Sequence, residues 1–125
     1  MKIFESAENY LEAILMLLNR QEFVRSVDVA KHLQISKASV SVAMKSLHEA
    51  GYIDIAPGGH LSLTEKGTGI AEQVYERHTL LTRLFRHLGV SRAVAEEDAC
   101  RIEHRISQET VDKLRAFVNT MIPQE

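Results

Sequence analysis

The sequence predicts a mainly α-helical chain carrying one small β-hairpin. Three observations lead there. Apolar residues recur at helical spacing in six stretches, and between residues 52 and 63 the period falls to two. Most changes of pattern also coincide with a Ser, Thr, Gly or Pro suited to start or stop an element.

Ser6 is placed to cap a first helix in which Tyr10, Leu11, Ile14, Leu15 and Leu18 share a face, with Arg20 and Gln21 ending it. Ser26 caps a short second helix, Ser26–Leu33, that turns Val29, Ala30 and Leu33 inward, and Gln34-Ile35-Ser36 makes a tight turn. Ser36 caps a third helix through Val40, Ala43, Met44 and Leu47 to Ala50, where Gly51 supplies a left-handed stop. Tyr52–Ile55 and His60–Leu63 then alternate around Ala56-Pro57-Gly58-Gly59, the pattern of a hairpin. Thr64-Glu65-Lys66-Gly67 opens a long fourth helix with Ile70, Val74, His78, Leu81 and Phe85 along one side, ending near Leu88-Gly89-Val90. Ser91 caps a fifth helix through Ile106. Ser107 caps a sixth to about Asn119, with Val111, Leu114, Val118 and Met121 in one stripe.

The 125 residues suit one ordinary domain or two small helical subdomains. A net charge of −2 argues against loose, purely electrostatic binding of nucleic acid, though not against a small reading head with its own local charges. The lone cysteine cannot form an internal disulfide and fits a reducing cytoplasm. The longest apolar run, Ala13 to Leu18, is too short to span a bilayer, and no signal peptide is expected before it.

Helix, short helix, turn, helix, then hairpin is the order of a winged helix-turn-helix. In that arrangement the helix after the turn offers its N-terminal residues to the DNA major groove, and the hairpin reaches the flanking backbone. Here that helix begins Ser36-Lys37-Ala38-Ser39-Val40-Ser41, with Lys45 one turn on. Small hydroxyls at a helix N-terminus suit phosphate oxygens and allow close approach, and Ala38 could touch a thymine methyl. The competing reading is a helical hairpin used only for packing, its serines serving as caps. An exposed face of serines and lysines, followed by a hairpin where a wing belongs, favours DNA.

The fifth helix carries a second pattern. At about 100° per residue, Glu96, Cys100, Glu103 and His104 fall at i, i+4, i+7 and i+8 on one face. Ala95, Ala99, Ile102 and Ile106 fall on another. A divalent cation needs several donors converging from rigid elements, which i, i+3, i+4 spacing supplies. His78 on the fourth helix and Glu12 on the first could complete the set. Cysteine is commonly just a small buried apolar residue, and His near a helix C-terminus also suits the dipole. His32, His48, His60 and His87 lack such company and read as surface or packing residues, His60 standing on the wing among the DNA-facing candidates.

Taken together, the two patterns strongly resemble the DtxR/MntR family of metal-dependent transcriptional repressors over essentially the whole chain. The matching stretches include Ala7-Glu-Asn-Tyr-Leu-Glu-Ala-Ile, Val29-Ala-Lys-His-Leu with Ser39-Val-Ser, and Leu63-Thr-Glu-Lys-Gly. Glu76-Arg-His78 with Leu88-Gly-Val and, above all, Asp98-Ala-Cys-Arg-Ile-Glu-His-Arg-Ile-Ser complete them. The resemblance implies that Cys100, Glu103 and His104 belong to the regulatory metal site, with position 9 a further ligand. It matches Glu12 to the carboxylate of manganese-type members and His78 to a histidine ligand used throughout the family. Glu96 stands where iron-type members place a second-site histidine, as a substitute oxygen donor. Asn9 replaces the Met of iron-type and the Asp of manganese-type members, Thr82 replaces an iron-type carboxylate, and, as in manganese-type members, no C-terminal SH3-like domain is expected. Cys100 is the iron-type choice, and thiolate favours Fe(II) over Mn(II).

The expectation is therefore a homodimeric, metal-activated repressor and not an enzyme. Residues 1–70 would form the winged helix-turn-helix, and 71–125 a helical metal-binding and dimerisation domain. Its partner would be a palindromic double-stranded operator and its cofactor a divalent metal, Fe(II) ahead of Mn(II). The rival is a winged-helix regulator that ignores metal and keeps Cys100 in its core. A metalloenzyme comes last, for want of a nucleophile motif or phosphate loop.

Overall fold

The structure, a computed structural model, describes residues 5–123. It contains α1 (Glu5–Leu18), α2 (Ser26–Leu33), α3 (Lys37–Glu49), β1 (Ile53–Ile55), β2 (Leu61–Leu63), α4 (Glu65–His87), α5 (Arg92–Ile102) and α6 (Gln108–Met121). The chain is mainly helical with a two-stranded antiparallel hairpin, a winged helix-turn-helix followed by helices. It divides into two compact units, Met1–Glu72 and Gln73–Glu125, with the division inside α4. No helix among the described residues is long and apolar enough to cross a membrane.

The first unit is built on one apolar cluster. Leu11, Ile14 and Leu17 of α1 meet Val29 and Ala30 of α2, Val40, Met44 and Leu47 of α3, and Ile53 and Leu61 of the hairpin. The sequence period produces this directly, since each helix presents its 3.6-spaced apolar stripe to the same centre. The strands pair Ile53 with Leu63 and Ile55 with Leu61, and β2 is tied to the segment after α1 by Leu61 N–H donating to Val24 O at 2.7 Å.

Caps decide where the helices stop. Ser36 caps α3 as expected, its Oγ accepting from Ser39 N–H at 3.1 Å. At the other end Gly51, at φ +84°, allows Tyr52 N–H to reach back to Leu47 O at 3.0 Å, closing a Schellman motif. Ser26, by contrast, is not a cap. It is the first residue of α2, and Arg25 precedes the helix with its N–H donating to Asp28 Oδ2 at 2.8 Å. The carboxylate three residues on is the stronger acceptor, so it sets the boundary.

The turn between α2 and α3 repeats the Schellman pattern without glycine. Gln34 stands at φ +57°, and Ile35 N–H donates to Ala30 O at 3.1 Å. A left-handed residue bearing a Cβ costs about 1–2 kcal/mol, partly offset by the flexibility that glycine brings to the unfolded chain. Gln34→Gly is therefore expected to stabilise the first unit by about 0.5–1 kcal/mol in urea denaturation. A loss of stability would show that the Gln34 side chain has a contribution of its own.

The second unit has a smaller core of Leu80, Val111, Val118 and Ile122, flanked by Leu84, Ile106 and Leu114. Met121, expected in the buried stripe of α6, is exposed. The backbone turns extended at Ile122, which takes the inward place instead. Arg115 on α6 grips Glu76 on α4 with two hydrogen bonds, at 3.0 and 2.6 Å, and this guanidinium holds the Glu76 carboxyl below its ordinary value.

Candidate metal centre and reading head

The fifth helix is shorter than its pattern suggested. It ends at Ile102, and Glu103 to Ile106 form turns before Ser107 caps α6 by accepting from Thr110 N–H at 3.2 Å. Glu103 keeps a helical backbone and donates its N–H to Ala99 O at 2.9 Å, whereas Arg105 N–H reaches only to Ile102 O at 3.0 Å. The reason is packing, because Ile106 turns into the second unit's core while Ile102 stays exposed.

This turn buries a charge. Glu103 is 0 % exposed, an unusual state for a carboxylate. His78 Nδ1 on α4 donates to its Oε2 at 2.9 Å. The other oxygen, Oε1, is buried and accepts no hydrogen bond among the described residues, although His104 Nε2 lies 3.3 Å away. The His104 side chain is itself only 1 % exposed. One carboxylate thus stands between two imidazoles. Donors bonded at about 2.0–2.2 Å to one divalent ion stand about 3 Å from each other, which is the spacing found here. A buried oxygen without a hydrogen bond costs about 1–3 kcal/mol, a cost that coordination would remove. The residues fit a divalent metal.

The other candidates divide. Cys100 and Glu96 on α5 are exposed, so the structure does not bring all four α5-face candidates to one buried point. Cys100 is therefore no core residue, and the metal-independent rival loses its premise. In the first unit, Glu12 is buried at 5 % exposure and Asn9 is half-buried, both on α1.

The DNA-facing candidates stand together. Ser36, Lys37, Ala38, Ser39, Ser41 and Lys45 are all exposed, on or just before α3. Ser36 also donates its hydroxyl to Ser39 Oγ at 2.9 Å, so these two side chains are preset by one another. His60, beside the turn of the wing, stacks on the Phe23 ring (centroids 4.6 Å apart) and accepts from Arg25 Nη2 at 3.2 Å.

Sequence reasoning passed over Val42, which is 68 % exposed on the face shared with Ser39 and Lys45. Its i+3 and i−3 spacing from those two could have located it. It also passed over Arg77, whose hydrogen bonds reach residues far along the chain and left no local signal.

Two family models match the chain. "Iron dependent repressor, N-terminal DNA binding domain" covers residues 2–61, and "Iron dependent repressor, metal binding and dimerisation domain" covers 64–121. An uncharacterised HTH-type transcriptional regulator of Methanocaldococcus jannaschii is 33 % identical over 116 residues, covering 91 % of this chain and 93 % of its own. The transcriptional regulator MntR of Salmonella typhimurium is 35 % identical over 113 residues, covering 90 % of this chain and 72 % of its own. Among solved structures, a manganese-dependent transcriptional repressor in complex with manganese superposes with a TM-score of 0.84 at 26 % identity, covering 95 % of this chain and 54 % of that one. The manganese regulator SloR gives 0.79 at 28 % identity, with 94 % and 59 % covered, so the chain spans somewhat more than half of either solved relative. With both of its halves matched, the chain belongs to the iron-dependent repressor family of metal-dependent, DNA-binding transcriptional regulators.

Proposed function

We propose that this protein is a homodimeric, metal-activated repressor of the cytoplasm that binds a palindromic operator. The observation that carries the reading is the buried Glu103 carboxylate between His78 and His104, within the half that matches a metal-binding and dimerisation domain. Residues 71–125 would hold the metal and the dimer contact, and residues 1–70 would hold the DNA.

In this reading His78, Glu103 and His104 are ligands, joined by Cys100 and by Glu96 as an oxygen donor. From the first helix, Glu12 supplies a carboxylate and Asn9 a weaker carbonyl. When bound, a divalent ion supplies the positive charge that offsets the buried carboxylates. Cys100 in the set favours Fe(II) over Mn(II), because thiolate is the softer donor, although named relatives include manganese-dependent ones. Ser36, Lys37, Ala38, Ser39, Ser41 and Lys45 meet the operator in the major groove, with Val42 against a thymine methyl and His60 at the flanking backbone.

Metal and DNA binding would then be linked. If metal prefers the DNA-competent arrangement, it raises DNA affinity by the same factor that DNA raises metal affinity. The test is selection from a random-sequence duplex library in anaerobic Fe(II), in Mn(II) and in EDTA. An inverted-repeat site retained with metal and released by EDTA is expected. Equal retention in EDTA would sink the proposal, and retention in Mn(II) alone would reverse the metal assignment.

A further inference from the structure

We infer that Arg77 is the positioning residue of the metal centre, holding in place the turn that carries Glu103 and His104. The inference rests on the metal reading above and assigns a role to a residue that is not a ligand. Because α5 stops at Ile102 and its last ladder bond is the one from Glu103 N–H to Ala99 O, no helical ladder fixes His104 to Ile106. Carbonyls past a helix end need donors from outside the helix, and Arg77 supplies them to Glu103 O and Ile106 O. Its Nη1 donates to Ile106 O at 2.9 Å and to Glu103 O at 3.3 Å, while Nη2 donates to Gln108 Oε1 at 3.2 Å. One guanidinium thus spans the turn from the residue bearing the buried carboxylate to the first residue of α6.

Arg77 also immediately precedes His78. The same segment of α4 therefore carries a ligand and the clamp for its counterpart, so the 2.9 Å separation of His78 from Glu103 is set from a single rigid helix. Charge is not what the position requires. A guanidinium close to a cation site repels the cation, and among the described residues no carboxylate forms a salt bridge with Arg77. Its partners are two carbonyls and an amide, dipoles met by a planar fork. Lysine keeps the charge but cannot make that fork.

Arg83 provides the control. It stands farther along α4 and donates to Asn119 Oδ1 at 3.1 Å and to Ile122 O at 3.2 Å, the same kind of tie to backbone within the second unit, made to residues outside the proposed ligand set.

The experiment is a Co(II) titration, followed by its ligand-field absorption, alongside thermal melts of the metal-free proteins. It compares wild type, Arg77→Lys, Arg83→Lys and Glu103→Gln. Arg77→Lys is expected to lower Co(II) affinity about 10–100-fold, the range seen when a ligand's supporting hydrogen bonds are removed. Arg83→Lys should lower the melt comparably and leave Co(II) affinity unchanged. Equal affinities for the two lysine variants would overturn the positioning role while leaving the metal site standing, provided Glu103→Gln still loses binding. Absence of saturable Co(II) binding in wild type would instead remove the metal reading and this inference with it. Should Arg77→Lys fail to fold, Gln108→Leu removes one of the three acceptors. A several-fold loss of affinity there supports the clamp, and no loss overturns it.

Discussion

Gly67→Ala is expected to destabilise the first unit by about 3 kcal/mol, at the upper end of the usual cost of forcing a side chain into a filled site. Helix propensity alone argues the opposite, since replacing glycine by alanine in a helix gains up to about 1 kcal/mol. The tertiary contact decides the sign. A Cβ on Gly67 would fall far inside van der Waals contact of the Tyr52 carbonyl oxygen, and 3.0 Å from the carbonyl carbon. That carbonyl cannot move freely, because it accepts Thr64 N–H at 3.1 Å and Tyr52 is buried at the end of the α3 Schellman motif. Thr64 itself caps α4, accepting from Gly67 N–H at 3.2 Å and donating to Gly51 O at 2.7 Å. The clash therefore falls where the hairpin passes into α4. Gly69, two residues on, has nothing within 4 Å of its Cβ position, and Gly69→Ala should stabilise by about 0.5–1 kcal/mol. Urea denaturation of both variants checks this pair, and the same sign of change in both would refute the argument.

Glu103→Gln is expected to weaken divalent-metal binding at least about 100-fold, or about 3 kcal/mol, because a neutral amide oxygen replaces the buried carboxylate at the centre of the donor set. The metal-free fold should change little. Glutamine has the same shape, and its amide oxygen can still accept from His78 Nδ1, which now sits 2.9 Å from Oε2. Thermal melts with and without metal separate the two effects. Metal at 100 times its Kd stabilises the wild-type fold by about 2.7 kcal/mol, raising the melt, and the variant should show almost none of that rise. A metal-dependent rise in Glu103→Gln equal to that of wild type would falsify the assignment of Glu103 as a ligand. A collapsed metal-free melt would show instead that the carboxylate's charge holds the turn together.

Much of this molecule is written in local pattern. The apolar period placed all six helices and the hairpin, because each is amphipathic and short-range spacing alone determines which face is apolar. Ser36, Gly51 and Ser107 marked their boundaries because capping acts within four residues. Cys100, Glu103 and His104 drew attention as a donor-bearing run at helical spacing. What local pattern could not decide was burial. Glu103 and Cys100 stand three residues apart on one predicted face, yet one is sealed from solvent and the other is exposed. That difference arises because the chain leaves α5 after Ile102 and turns to send Ile106 into the second core, with Arg77, 26 residues before Glu103, holding the turn. The same holds at Gly67, whose requirement comes from a carbonyl 15 residues earlier. The helices, the caps at Ser36, Gly51 and Ser107, and the candidate donors were thus determined by the sequence itself, whereas Ser26 and Ser6 stand inside their helices. Which donor is buried, and which glycine cannot be replaced, was decided only by the tertiary structure, because steric exclusion and desolvation act between residues distant in the chain.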